Sequence, residues 1–261
     1  MILTITLNPL LEKRMTFLKT EQGKVNRCYK EYFTAGGKGI NVSRQLNVFK
    51  VDNLAVTAAG GNSGKIYRKI LAEENINNFV FPTEKDMRQA FLAEDDFNRK
   101  VTSYFGVDVG LTEKEFNEIN SRIEKMILNA STVVLAGSVP DELSAELMRR
   151  ILDLAHKHDK FTILDTYGTH LLSCLKKAPG AIHNNIEELS SSLGRTFENE
   201  NDIKEFLKEL YSMGIKLCFL TDGARPSYSS QFGFMYKTIT PEIEAVDSTG
   251  SGDSFTAGVI Y

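Results

Sequence analysis

Short, wholly apolar runs alternate along this chain with longer segments in which apolar residues recur at every third or fourth position. ILTITL at 2–7, NLAVTAA at 53–59, TVVLAG at 132–137, FTILD at 161–165 and KLCFLT at 216–221 predict buried strands, because a strand covered on both faces has no need of polar alternation. Glu113 to Asn129, Glu142 to His158 and Ile203 to Met213 carry the helical spacing with charges between, and predict amphipathic helices. Strands alternating with helices predict an α/β fold, a parallel sheet sandwiched by helices, with ligands at the carboxyl ends of its strands.

Two segments break this rhythm. Residues 13–34 and 87–108 alternate polar with aromatic or aliphatic side chains, and the second has a polar turn from Asp95 to Lys100. They predict a small antiparallel sheet outside the main core. A few strands with one apolar face are rarely stable alone, so this sheet is expected to pack on the main domain, on a ligand, or on the same sheet of a second copy.

Composition narrows the function. The chain of 261 residues is 42% hydrophobic, enough for one large α/β domain. Its 31 basic and 34 acidic residues leave a net charge of -3, without the basic field that nucleic acid or an anionic membrane requires, so small-molecule chemistry is favoured. Cys28, Cys174 and Cys218 are far apart and outside any CxxC spacing, which argues for a reducing, cytoplasmic compartment and against a disulfide or zinc framework. The apolar start MILTITLNPL is interrupted by threonines and lacks a basic leader, so it reads as a strand and not as a signal peptide. No run approaches membrane-spanning length.

Three glycine clusters are the candidates for chemistry. In STGSGDSF at 248–255, Gly250 and Gly252 flank Ser251 where a turn passes into a helical pattern, so successive amides would converge as an anion cradle. Asp253, at its mouth, is either a cap for orphan amides or a base that takes a proton from an attacking nucleophile. In AGGKGINVSRQL at 35–46, Gly36, Gly37 and Gly39 leave amides open while Lys38 and Asn41 offer donors, which suits a polyhydroxylated or phosphorylated ligand; the alternative is a tight turn with a surface lysine. AAGGNSGK at 58–65 is not a P-loop, because Ala59 and Ile66 stand where glycine and Ser or Thr are required. HRD and DFG motifs are absent, and His156, His158, His170 and His183 show no zinc-ligand spacing.

TLNP at 6–9, GGKGIN at 36–41, GSVP at 137–140, Asn185-Ile186-Glu187-Glu188 and DSTGSGDSF at 247–255 together resemble, in this order, the ribokinase-like (PfkB) carbohydrate kinases. The branch they are most similar to is that of 1-phosphofructokinase and tagatose-6-phosphate kinase. The resemblance implies one kinase domain over residues 1–261, a ribokinase-like parallel sheet between helices, with lid segments at about 13–34 and 87–108 that often form a dimer contact. It implies transfer of the γ-phosphoryl of ATP, with Mg2+, to a hydroxyl of a ketohexose phosphate, fructose 1-phosphate or tagatose 6-phosphate. A kinase for a free sugar or nucleoside, or a catalytically weak binding homologue, are the alternatives.

By the same resemblance Asp253 is the base, and the amides of Gly250, Ser251 and Gly252 stabilise the transferring group. Asn185 and Glu188 match the pair that orders magnesium and phosphate, although an acidic first helical turn would look the same. Thr221 and Gly223 fall on the nucleotide strand and loop. Glu12, Gly37, Lys38, Asn41 and Ser138 match substrate positions, and Arg88 matches an arginine that holds a substrate phosphate. Lys24 and Arg27 are either ligands or solvated strand residues. The chain departs from the family where Glu12 replaces aspartate, Gly106-Val107-Asp108 a proline-glycine turn, and His183-Asn184 a Lys-Pro lead-in. Pro226 or Ser227 stands in place of a second nucleotide-loop glycine, which removes an amide if it is the proline. Family members also continue through further helices, so the resemblance implies a truncated C-terminus at Tyr261.

Overall fold

The computed structural model describes residues 1–243 and 247–261. From the N-terminus the chain forms β1 (Ile2–Thr6), β2 (Leu10–Phe17), β3 (Lys30–Gly36), α1 (Lys38–Val48), β4 (Asn53–Gly60), α2 (Gly61–Glu73) and β5 (Asn78–Thr83). Then come β6 (Gln89–Asp95), β7 (Lys100–Phe105), α3 (Glu113–Leu128), β8 (Thr132–Ala136), α4 (Glu142–Lys157), β9 (Phe161–Asp165) and α5 (Leu171–Leu175). The last third holds β10 (Ala181–Asn185), α6 (Ile186–Leu193), α7 (Glu200–Ser212), β11 (Leu217–Asp222), β12 (Arg225–Gln231), β13 (Phe234–Thr238) and α8 (Ser251–Ile260).

The predicted helices form where their stripes and caps lie. Phe116, Ile119, Ile123 and Ile127 make one buried face of α3, which opens on a capping box between Thr112 and Glu115. Leu147, Met148, Ile151, Leu152 and Ala155 do the same for α4, capped by Asp141. These faces, with α7, cover one side of the large sheet, and α1 and α8 cover the other through Val42, Leu46 and Ala257.

Nine strands form the large sheet among the described residues, in the order β13-β12-β11-β10-β9-β8-β1-β4-β5. Pairing is parallel from β11 to β5, and antiparallel where β12 and β13 extend the edge. The chain leaves β1 on one side toward β4 and β5 and returns on the other through β8, so a switch point lies between β1 and β8. A crevice for ligands opens at the carboxyl ends of strands at such a point.

The two irregular segments form a second sheet of order β3-β2-β6-β7, as expected, but it is mixed and not antiparallel. β2 pairs antiparallel with β3 and β6 with β7, yet β2 and β6 run parallel from Leu11↔Gln89 to Phe17↔Asp95. Each hairpin leaves the main sheet from the carboxyl end of a strand, β1 or β5, so their first strands set out in the same direction. β5, β10, β12 and β13 were not expected from the strand pattern. The P-loop imitation is the β4–α2 junction, where Asp86 Oδ1 accepts from the Ser63 amide at 2.9 Å and fills the place an anion would take. Among the described residues no helix is long and apolar enough to cross a membrane.

Helix α1 lies hard against β1. A Cβ on Gly39 would stand 2.5 Å from Thr6 Oγ1 and 3.2 Å from the Ile5 carbonyl, and one on Gly37, at φ 127°, 2.8 Å from Thr6 Cγ2. Gly39→Ala is therefore expected to lose about 1–3 kcal/mol of stability by overpacking. Gly258→Ala, at an exposed helical position with nothing within 4 Å, should be neutral or gain up to about 1 kcal/mol. Urea unfolding midpoints check both, and equal losses would contradict this packing.

Candidate active site

Helices α3, α4, α6 and α7 are capped by side chains, whereas α1 and α8 enter through Gly37 and Gly250 with none. Side chains therefore leave their first turns open, although the Ser251 amide, expected in the anion cradle, donates to the Ser248 carbonyl at 3.1 Å. Gly250 adopts φ 79°, a left-handed turn that glycine takes at no steric cost. The two uncapped ends meet at one cavity of about 980 Å³. Lys38, Asn185, Glu188, Thr221, Gly223, Gly250, Ser251, Gly252 and Asp253, nine of the expected site residues, all line it.

Asp253 is buried, and its Oδ2 accepts from Asn41 Nδ2 at 2.7 Å. It caps no amide of α8, so the capping alternative falls away. Behind it lies Asp165, fully buried at the end of β9, whose Oδ1 accepts from Lys38 Nζ at 3.1 Å. The other oxygen of Asp165 accepts from Thr256 Oγ1 at 2.6 Å and stands 3.1 Å from His183 Nδ1. The second carboxylate on Lys38 is Glu188, at 2.9 Å. His183 Nε2 lies 3.1 Å from Thr221 Oγ1, and its ring meets that of Phe255 in a tilted contact at 4.8 Å between centroids.

These contacts divide two neighbouring acids. Burial alone would raise Asp165, but Lys38, His183 and Thr256 together hold it well below the usual carboxylate range. Asp253 is pushed up to about 6, first by burial and then by the charge of Asp165, against the Asn41 donor, Lys38 and His183. Lys38 would be lowered by burial, yet Asp165 and Glu188 keep it above its ordinary value and charged.

The remaining expected residues gather in two further places. Glu12 and Asn41 line a smaller cavity of about 330 Å³ that shares Gly250 with the larger one. The longer side chain of Glu12 accepts from Thr34 Oγ1 at 3.1 Å and packs where a Cβ on Gly36 would stand, 2.4 Å from its Oε1. Ser138 and Arg88 meet through Asn8: Asn8 Nδ2 donates to Ser138 Oγ at 3.1 Å, and Arg88 Nη2 donates to the Asn8 carbonyl at 3.1 Å. The cluster also holds Asp108, which accepts from Arg88 Nη1 at 2.8 Å and from Asn8 Nδ2 at 3.0 Å. Lys24 and Arg27 are exposed. Pro226 lies in β12, and its neighbour Ser227 lines the large cavity.

Sequence reasoning missed Asp165, Thr256 and Asp108 and gave His183 no role. An acid that ends a buried strand at the carboxyl edge of the sheet was the available signal for Asp165. Thr256 carries no signal until α8 is docked.

Fold and site define an α/β protein in which two helix starts without side-chain caps meet beside a buried acid. The profile of the pfkB family carbohydrate kinases matches residues 4–261, and the chain belongs to that family. The fold is similar to that of a Thermotoga maritima "possible 1-phosphofructokinase", TM-score 0.90 at 21% identity over 100% of this chain and 84% of that one. It is also similar to phosphofructokinase-2 from Escherichia coli in complex with substrates and products, TM-score 0.89 at 23% identity over 99% and 85% of the two chains. The tetrameric inhibited form of the Escherichia coli protein matches at TM-score 0.88 and 23% identity, over 98% and 84%.

The raised carboxyl of Asp253 has a thermodynamic signature. With a folded value of about 6 against the ordinary 3.8, the unfolded chain releases this proton first as pH rises from about 4 to about 6, and stability falls across that window. Asp253→Asn removes this dependence. It should be more stable than the parent by up to about 2–3 kcal/mol at pH 7.5, with the difference shrinking toward pH 4, by urea titration at both pH values. A constant difference would contradict the burial of an ionisable group there.

Proposed function

We propose that the protein is an ATP-dependent ketohexose-phosphate kinase acting on fructose 1-phosphate or tagatose 6-phosphate to give the bisphosphate. The observation that carries this reading is the meeting of two uncapped helix starts, α1 and α8, at the cavity lined by Asp253. Arg88 and Ser138, gathered around Asn8, support an acceptor that already bears a phosphate.

In this mechanism an acceptor hydroxyl oxygen attacks the γ-phosphorus of ATP as the bond to the bridging β–γ oxygen breaks, and ADP leaves. The hydroxyl proton passes to Asp253. Amides of Gly250 and Gly252 receive the charge on the transferring group, and Lys38, already cationic between two acids, adds to it. Thr221 and Gly223 border the nucleotide, while Glu12, Gly37 and Asn41 border the sugar.

The residues fit a magnesium ion held mostly by nucleotide phosphates and water. Glu188 and Asn185 line the cavity, and no cluster of three or more His, Cys, Asp or Glu able to hold a metal occurs among the described residues. Bound there with Glu188 and Asn185, the ion would neutralise phosphate charge.

We read residues 1–261 as one kinase domain with the small sheet as its lid. Tyr32, Phe33, Tyr104 and Phe105 on that sheet are exposed, and we propose that a second copy covers them. Free Cys28, Cys174 and Cys218 fit a reducing, cytoplasmic setting. One observation favours a second reading, a kinase for an unphosphorylated sugar: the Asp108 carboxylate already occupies Arg88.

ADP release measured across phosphorylated and free sugars, with ATP and magnesium, decides between them; turnover with free sugars alone would overturn the first reading. Asp253→Asn should retain nucleotide binding and lose about 10²-fold to 10⁴-fold in kcat. The parent's kcat should fall about tenfold per pH unit below the Asp253 midpoint of about 6. Arg88→Ala should raise KM for a sugar phosphate far more than KM for ATP, and equal changes would remove it from the phosphate site.

A further inference from the structure

A relay of three side chains, Asn41, Arg44 and Glu74, lies behind Asp253, and its last two members take no part in the reaction itself. Arg44 follows Asn41 by one turn of α1, and its Nη1 donates to Asn41 Oδ1 at 2.5 Å. Nε and Nη2 of the same guanidinium donate to Glu74 Oε2, at 3.0 and 2.7 Å, and Nη2 also donates to the Ala35 carbonyl at 3.0 Å. At the other end of the relay stands the 2.7 Å bond from Asn41 Nδ2 to Asp253 Oδ2.

A carboxamide can turn over, exchanging its oxygen for its NH2 with almost no change of shape. A guanidinium has donors only, so the turned amide would set N–H against N–H at Arg44. Arg44 thus forces the oxygen of Asn41 toward itself and the NH2 toward Asp253. The consequence for Asp253 is chemical. An ionised carboxylate accepts from that NH2 at full strength, whereas an acid that carries its proton on Oδ2 would need the amide oxygen as its acceptor.

We propose, on the reading of Asp253 as proton acceptor, that Arg44 is a positioning residue which locks the Asn41 amide and thereby holds Asp253 in its proton-accepting form. The effect is one of orientation and not of charge, since Glu74 neutralises the guanidinium. Groups that act on Asp253 by charge are others: Lys38 on α1, Asp165 at the end of β9 and His183 on β10. Oδ1 of Asp253 makes no hydrogen bond among the described residues and is left for the acceptor hydroxyl.

The test is a double-mutant cycle with two readouts. Arg44→Met removes the donors at similar length, Arg44→Lys keeps a donor-only group, and Asn41→Ala removes the amide. The carboxyl carbon of Asp253, followed by ¹³C NMR in the nucleotide-free protein, should titrate about 0.5–1 pH unit higher in Arg44→Met, because a freed amide can turn its oxygen to the protonated acid. Arg44→Lys should restore most of the parent midpoint. In the Asn41→Ala background Arg44→Met should move the midpoint no further, which a pure charge effect would not predict. The acidic limb of kcat should shift with the NMR midpoint, with kcat lowered about tenfold near pH 6 and KM for ATP changed less than about twofold. An unmoved midpoint in Arg44→Met, or an equal shift with and without the Asn41 amide, overturns the proposal. A midpoint that shifts as expected in a protein whose turnover survives Asp253→Asn leaves the lock standing and removes the base.

Discussion

Asn41 and Asp253 stand 212 residues apart along the chain and 2.7 Å apart in space, and every other contact of the site is arranged around the packing that joins them. On one side α1 is pressed onto β1 because Gly37 and Gly39 offer Thr6 no Cβ to meet. On the other, α8 is anchored by Ala257 among Val42, Leu46, Val134 and Ile163, with Thr256 bonded to Asp165 beneath the sheet edge. Both helices consequently begin at one cavity, without side-chain caps. Core packing and the meeting of the two helix starts are here two uses of the same close contact.

Buried charge is the second constraint. Lys38, Asp165 and Glu188 share a cluster in which each desolvated group has an opposite partner, the condition under which ions survive inside a protein. Asp253 is the member left without a cationic bond of its own. Its only hydrogen bond among the described residues comes from a neutral amide, and the ionised Asp165 nearby opposes its charge. Neighbouring acids of one chemistry are thus separated into a permanent anion and a group that can exchange a proton near neutrality, which is how acid and base roles are divided in many active sites.

Legibility followed burial type. α3 and α4 were readable because residues such as Phe116, Ile123, Leu152 and Ala155 keep helical spacing against a single core. β1, β4, β8 and β9 were readable because both of their faces are covered. β10 was not, since three of its five residues are His183, Asn184 and Asn185, polar side chains buried or half-buried for the site and not for the core. β12 and β13 were missed because the strand at that edge and its neighbour carry the polar, mixed composition of loops. In the small sheet the hairpin turn at Asp95 to Lys100 was local and visible, whereas the parallel junction of β2 and β6 joins two remote segments.

The same division runs through the site. Glycines at 36–39 and 250–252, the acid beside them and the helical patterns that follow were enough to announce two glycine-led helix starts, because turn sterics are properties of a few consecutive residues. Which donor faces Asp253, which acid stays ionised, and that Asp108 occupies Arg88 are matters of distance between segments. The docking of α8 against α1 and β9 sets the first two of those distances and the meeting of the β5–β6 and β7–α3 segments the third, since the chain encodes hydrogen-bonding capacity locally but meets its partners through packing.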